Sequence, residues 1–179
     1  MALVKLQSEG LNLTDNFAFT GTVTGAGGGK VLQVVQAVKT DTASITATTY
    51  SSLGLSVNIT PSLSSSKILV LVNAKIGWTT GQVRYTALFR DSTQLLMPTS
   101  YGTRQQASLT WTDTSNSQGI YSATDMFLDS PATTSSTAYS LYAKVYSSGT
   151  VYINRSSNDG DGGNDARTAS SIIAIEIGV

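Results

Sequence analysis

From Lys30 onward, apolar residues recur at the two-residue spacing of strands rather than at helical spacing. Leu55, Val57 and Ile59 alternate with Ser56, Asn58 and Thr60; Val83, Tyr85, Ala87 and Phe89 alternate with Arg84, Thr86, Leu88 and Arg90. After the second segment, Asp91-Ser92-Thr93 supplies turn chemistry, which predicts a hairpin returning through Gln94 to Met97. Apolar runs at 31–38 and 67–76 predict buried strands. Further strands are expected at Ala107/Leu109/Trp111, 121–128, 137–146, 151–154 and 170–177, with turn signals at Pro61, Pro131, Ser148-Gly149 and an acidic glycine-rich stretch. No apolar stripe of helical period reaches ten residues. Many short strands on short links specify an all-β domain, and a jelly-roll β-sandwich is the arrangement that protects its edges.

The first 29 residues break this pattern. Leu11, Leu13, Phe17 and Phe19 are scattered among polar residues, and the run closes in Gly25-Ala26-Gly27-Gly28-Gly29. Glycines uncouple the two sides of a joint. The expected organisation is therefore a short extended N-terminal anchoring arm and glycine hinge over 1–29 and a jelly-roll trimerisation domain over 30–179, with the arm's apolar residues seated on a neighbouring protein.

Two strands are apolar on both faces. Tyr139, Leu141, Ala143 and Val145 fill one side of the 137–146 segment, leaving Tyr142 and Tyr146 on the other. In the last strand Ile173, Ile175 and Ile177 oppose Ile172, Ala174 and Glu176. A single copy needs only one such face for its core, so the second is expected to meet other copies, with Tyr142, Tyr146, Ile172, Ala174 and Glu176 at a trimer interface.

Composition narrows the chemistry. The chain has 179 residues, no cysteine and no histidine, which removes thiolate nucleophiles, disulfides, cysteine-ligated metals and the commonest neutral-pH base. Eleven cationic and eleven anionic side chains sum to zero, so nothing selects for nucleic acid or an anionic membrane. Ser and Thr make up about 28% of the chain, charged residues only 12%, and the Glu residues are Glu9 and Glu176 alone, a strand-rich rather than helical balance. The opening MALVKLQSEG lacks a signal-peptide core, so the chain reads as soluble and made in the cytoplasm without export. Gly25 to Lys30 fails the phosphate-loop pattern at Thr24 and Val31, and Asp125 and Asp129 are over 12 Å apart by strand rise. An enzyme is not expected.

Two stretches hold candidate binding chemistry. Asp159, Asp161 and Asp165, interleaved with glycines and asparagines, supply the hard oxygens that calcium prefers, without the closing glutamate of a helix-loop-helix site. Calcium is the one cofactor candidate. Between Pro98 and Gly119, Tyr101, Arg104 and Trp111 stand among planar amides, a mixture that suits stacking on a sugar ring and thus a host-surface glycan.

The order of several pieces resembles a known domain. Gly29-Lys30-Val31-Leu32-Gln33-Val34-Val35, Leu55-Ser56-Val57-Asn58-Ile59-Thr60-Pro61-Ser62, Ser66-Lys67-Ile68-Leu69-Val70, Phe127-Leu128-Asp129-Ser130-Pro131 and Arg167-Thr168-Ala169-Ser170-Ser171-Ile172-Ile173-Ala174-Ile175-Glu176-Ile177 together resemble a domain of tail-fibre-like proteins of tailed bacteriophages, notably marine ones. The resemblance implies a trimeric jelly roll similar to the complement-globular-head and tumour-necrosis-factor group, carried on the virion surface. With about 28 residues ahead of the domain, it implies a capsid decoration or short-fibre protein clamped by its arm to a capsid or tail protein. A receptor-binding tail-fibre tip is the second reading, and a polysaccharide depolymerase the third.

Overall fold

The computed structural model describes residues 29–79, 83–111 and 119–178. They form eleven strands and, among the described residues, no helix: β1 (Lys30–Lys39), β2 (Ala43–Ile45), β3 (Ser51–Ile59), β4 (Lys67–Trp78), β5 (Arg84–Arg90), β6 (Thr93–Gln94), β7 (Leu109–Trp111), β8 (Tyr121–Asp129), β9 (Thr137–Val145), β10 (Val151–Ile153) and β11 (Ser170–Gly178). None of these residues therefore belongs to a helix long and apolar enough to cross a membrane.

The pairing follows one rule. Strands from the two ends of the chain pair antiparallel and inward: β1 with β11, β3 with β9, β4 with β8, and β5 with β7. This long ribbon is then wound so that β11 also pairs β4 and β9 also pairs β5. One sheet, sheet A, reads β1-β11-β4-β8, with the short β2 and β10 extending its first two columns; the other, sheet B, reads β3-β9-β5-β7 with β6 beside β5. A wound ribbon in two facing four-stranded sheets is a jelly roll, the architecture expected from the alternation.

Between the sheets lies one apolar core. Sheet B contributes Leu53, Leu55, Val57 and Ile59 from β3, Leu88 from β5 and Tyr139, Leu141, Ala143 and Val145 from β9; sheet A contributes Ile68, Val70, Val72, Ala74 and Ile76 from β4 with Ile172 and Ala174 from β11. The register of β3 slips between Ser52 and Leu55, where Gly54 takes φ +75°. Only glycine holds that conformation without cost, so the slip is accommodated at Gly54 while Leu53 and Leu55 stay buried on the inner face.

Polar residues pin the rim of the sandwich. Arg90 on β5 and Tyr139 on β9 both meet the Asp129 carboxylate on β8, at 2.8 and 2.6 Å, which ties sheet A to sheet B. Asn154, buried with φ 64°, donates to the carbonyls of Lys39 and Asp41 at 2.8 Å each and accepts from the Ser170 hydroxyl at 2.5 Å. A small amide tolerates the left-handed region and completes three backbone and side-chain bonds there.

Candidate interaction surfaces

The two outer faces of the sandwich differ in kind. On sheet A, the register aligns side chains into rows across four strands. Val34, Ile175, Leu69 and Leu128 form one row, and Gln36, Ile173, Leu71 and Met126 form the next. Ile177 continues the surface beside Val31. Val31, Leu32, Val34, Met126 and Leu128 are exposed, Met126 to 69%, and the isoleucines with Leu69 and Leu71 are half-buried by one another. Polar residues on this face are Gln36 within the second row, Lys67 beside Ile177 at one end, and Ser171, Asn73 and Thr124 in the row with Val38 at the other.

This face corrects the expected interface. Ile172, Ala174 and Glu176 are completely buried inside a single chain and present no surface. Both faces of β11 are apolar, so the alternation alone does not fix which one turns inward; a one-residue shift exchanges them. What fixes it is Glu176. Its carboxylate accepts from the Ser62 backbone N–H at 2.7 Å, from the Ser62 hydroxyl at 3.1 Å and from Gln33 Nε2 at 2.6 Å, so it is buried without a cation. Burial by itself raises its pKa, but the hydrogen bonds outweigh burial and hold it down at about 2. Ile173, Ile175 and Ile177 therefore point outward. Tyr142 and Tyr146 lie elsewhere, on the sheet B side, with Tyr142 half-buried and Tyr146 exposed.

Sheet B's outer face is aromatic and polar, and the chain covers it itself. Tyr142 packs on Phe89 at 4.3 Å between centroids, and Tyr50 meets Phe89 edge-on at 5.6 Å. The segment from 98 to 107 crosses these rings: Tyr50 donates to the Gln106 carbonyl at 2.6 Å, and Lys144 donates to Gln105 Oε1 at 2.7 Å. The Lys144 ammonium sits 4.5 Å from the Tyr50 ring centre. Burial lowers the Lys144 pKa and, with Tyr85 nearby, pushes Tyr50 up to about 12.

The glycan candidates separate. Tyr101 and Arg104 stand together at the exposed tip of this segment, with the guanidinium 4.8 Å from the ring centre. Trp111 does not join them. It pairs with the buried Arg84 across β5 and β7 and packs toward the core, 5.8 Å from Trp78, which stacks on Tyr121 at 4.7 Å. An inward cross-strand partner places Trp111 on the inner face, so it is a core residue rather than a contact.

In the acidic loop, arginines occupy one of the three expected calcium ligands, Asp159. Asp159 is held by Arg167 at 2.7 Å and by Arg155 at 3.4 Å, and Asp165 accepts from the Asn158 amide at 3.0 Å, while Asp161 is exposed. Among the described residues no three acidic side chains gather as a ligand set. Leu11, Leu13, Phe17 and Phe19 lie outside the described residues.

No protein-family model and no curated protein matches the chain. The surfaces must speak for themselves. The outer face of sheet A escaped the sequence reading because its residues come from four separated segments. The signals in the sequence were strands apolar on both alternating faces, Ile68-Leu69-Val70-Leu71-Val72 and Ile172-Ile173-Ala174-Ile175, which do not say how the segments align.

Proposed function

We propose that this chain is a non-enzymatic, self-associating structural protein of a tailed-phage virion surface, acting as three copies. The single observation that supports self-association is the apolar outer face of sheet A. Four strands at ~4.8 Å spacing and two to three residue rows give a footprint on the order of 300–400 Å², within the range of the largest apolar patch on a monomer, which is often functional. The face bears no carboxylate, and its cations, Lys67 and Lys75, sit at the rows' ends. A surface whose central rows are apolar apart from Gln36 packs favourably on another apolar surface, and the same face of a second copy is one. Three copies, the virion setting and the clamp formed by residues 1–29 rest on the phage-fibre resemblance. In this reading the exposed Tyr101–Arg104 tip faces away from the shared surface and is free for a host glycan.

Sedimentation at micromolar concentration tests the reading. The expected species has three times the 18.7 kDa chain mass; a stable, folded single chain overturns it. Deleting residues 1–29 then separates decoration from receptor binding. A decoration or short-fibre protein keeps its oligomer and loses capsid binding, whereas a tail-fibre tip still binds host cells.

A further inference from the structure

At the edge of the sandwich opposite β1, a groove of about 800 Å³ runs between the two sheets. Its walls are Met97 and Pro98 from the segment after β6, Ser108 just ahead of β7, and Asp125, Met126 and Phe127 from β8. The volume is that of a small-molecule site, which is commonly apolar with a few fixed polar groups. Here the polar groups are the hydroxyls of Ser108 and Thr124 and one carboxylate, the only charged side chain among the lining residues.

Asp125 pairs with Val72 across the sheet and so turns inward, among apolar neighbours. Its Oδ2 is shut off from solvent and has no hydrogen-bond partner among the described residues. Burial raises its pKa, opposed only by the hydroxyl of Ser108. The contrast with the other buried carboxylates is sharp, since Glu176 takes three hydrogen bonds and Asp129 meets an arginine and a tyrosine. A desolvated carboxylate oxygen without a donor is costly, and a charge-assisted bond relieves that cost more than a neutral one. The wall above it is adaptable: Met97, which lies off the outer face of sheet A, is 50% exposed, and its unbranched thioether chain moves aside and repacks at little cost. Leu96, with φ 51°, bends the chain immediately before this wall.

From this geometry we infer that the groove binds a small organic amine with an apolar body, the ammonium donating to Asp125 and the body lying against Met97, Pro98 and Phe127. Charge complementarity selects the amine over acids, and the apolar walls select a ring or alkyl body over a bare cation.

The test is a titration of the full chain with phenethylamine, phenethyl alcohol and phenylacetate, followed through the methionine methyl resonances. The amine is expected to shift Met97 and Met126 saturably and to bind about tenfold or more tighter than the alcohol, with phenylacetate not binding. Asp125→Asn should remove that preference. Should Asp125→Asn fail to fold, Met97→Arg, at an exposed position, places a competing cation at the groove and should abolish amine binding with the melting temperature kept. Equal affinity for amine and alcohol, or amine binding unchanged in either folded variant, overturns the inference. A lysine side chain offers the same ammonium without the ring, so Nα-acetyl-lysine amide binding as tightly as phenethylamine overturns the assignment to a small amine.

Discussion

The outer faces of sheets A and B meet the same difficulty in opposite ways. Each carries more apolar surface than an exposed sheet should. Sheet B closes its own: the segment from 98 to 107 is fastened to Tyr50 through the Gln106 carbonyl and to Lys144 through Gln105. Sheet A leaves Val34, Leu128 and Met126 open among the described residues. A surface closed by its own chain has polar groups placed to fasten the cover, such as Lys144, whereas sheet A's central rows contain no polar side chain except Gln36. On the proposed reading, a partner copy covers these rows by apolar packing, the character of the core of homo-oligomeric interfaces.

Neighbouring isoleucines on β11 give the sharpest way to break this contrast. Ile172 is fully buried and Ile173 faces out, one residue apart in the same strand. Ile172→Asp places an unpaired carboxylate in the core and should unfold the chain, a loss of about 4 kcal/mol or more. Ile173→Asp should leave a folded chain, judged by its circular dichroism, that sediments as a single copy. If Ile173→Asp unfolds as completely as Ile172→Asp, the outer face is part of the fold and not a meeting surface.

The next effect tests what joins the two sheets irrespective of their outer faces. Asp129→Ala strands the half-buried Arg90 guanidinium and the buried Tyr139 hydroxyl together. Loss of one partner from such a pair costs about 3–5 kcal/mol, read as a lower urea midpoint. Asp129→Asn, which keeps an acceptor for Tyr139, should lose less. Equal losses would mean that the hydroxyl bond contributes nothing.

Much of this architecture was legible in the sequence, and the part that was not has a physical cause. Leu55, Val57 and Ile59 alternate with polar residues, which leaves one choice of inward face, and the structure takes it. For β11 both choices bury isoleucine, and the deciding interaction, Glu176 with Ser62 and Gln33, spans residues separated by 114 and 143 positions. Trp111 alternates with Ala107 and Leu109 as an ordinary strand does, which allows the core as well as a sugar contact, and the choice follows from pairing with Arg84, a buried arginine that alternation does not anticipate. In the acidic loop the carboxylates lie close in sequence, while the partner of Asp159, Arg167, enters from beyond the loop and is not marked by any local pattern. The Asp125 groove lies between 96–98, 107–108 and 124–127, so no local pattern marks it.

Glu176 also gives the contrast a pH dependence. Its folded pKa of about 2 lies below the ordinary 4.5, so its contribution is whole above about pH 4.5, shrinks as pH falls, and is gone below about pH 2. Glu176→Gln turns an amide N–H or a single oxygen toward the Ser62 donors and should cost about 1–3 kcal/mol at neutral pH. That gap to the wild-type melting temperature should narrow steadily between about pH 5 and about pH 2. A gap constant across this window would show that the carboxylate's charge is not what holds the strand's inward face.

The smallest effect bears on the cover of sheet B. Lys144→Met removes the bond to Gln105 and the ammonium above Tyr50 while keeping the aliphatic stem that packs on the rings. Such half-exposed contacts are worth about 0.5–1 kcal/mol, so the melting temperature should move only slightly. The cover itself should respond more, because its local opening depends on few fasteners while the core depends on many. Arg104 at the exposed tip supplies a tryptic site, and cleavage there should speed up several-fold in Lys144→Met with the oligomer mass unchanged. Unaltered cleavage would place the hold on the 98–107 segment with the Tyr50 and Gln94 contacts to the Gln106 carbonyl instead, and the fastener argument would then rest on backbone acceptors rather than on the charge of Lys144.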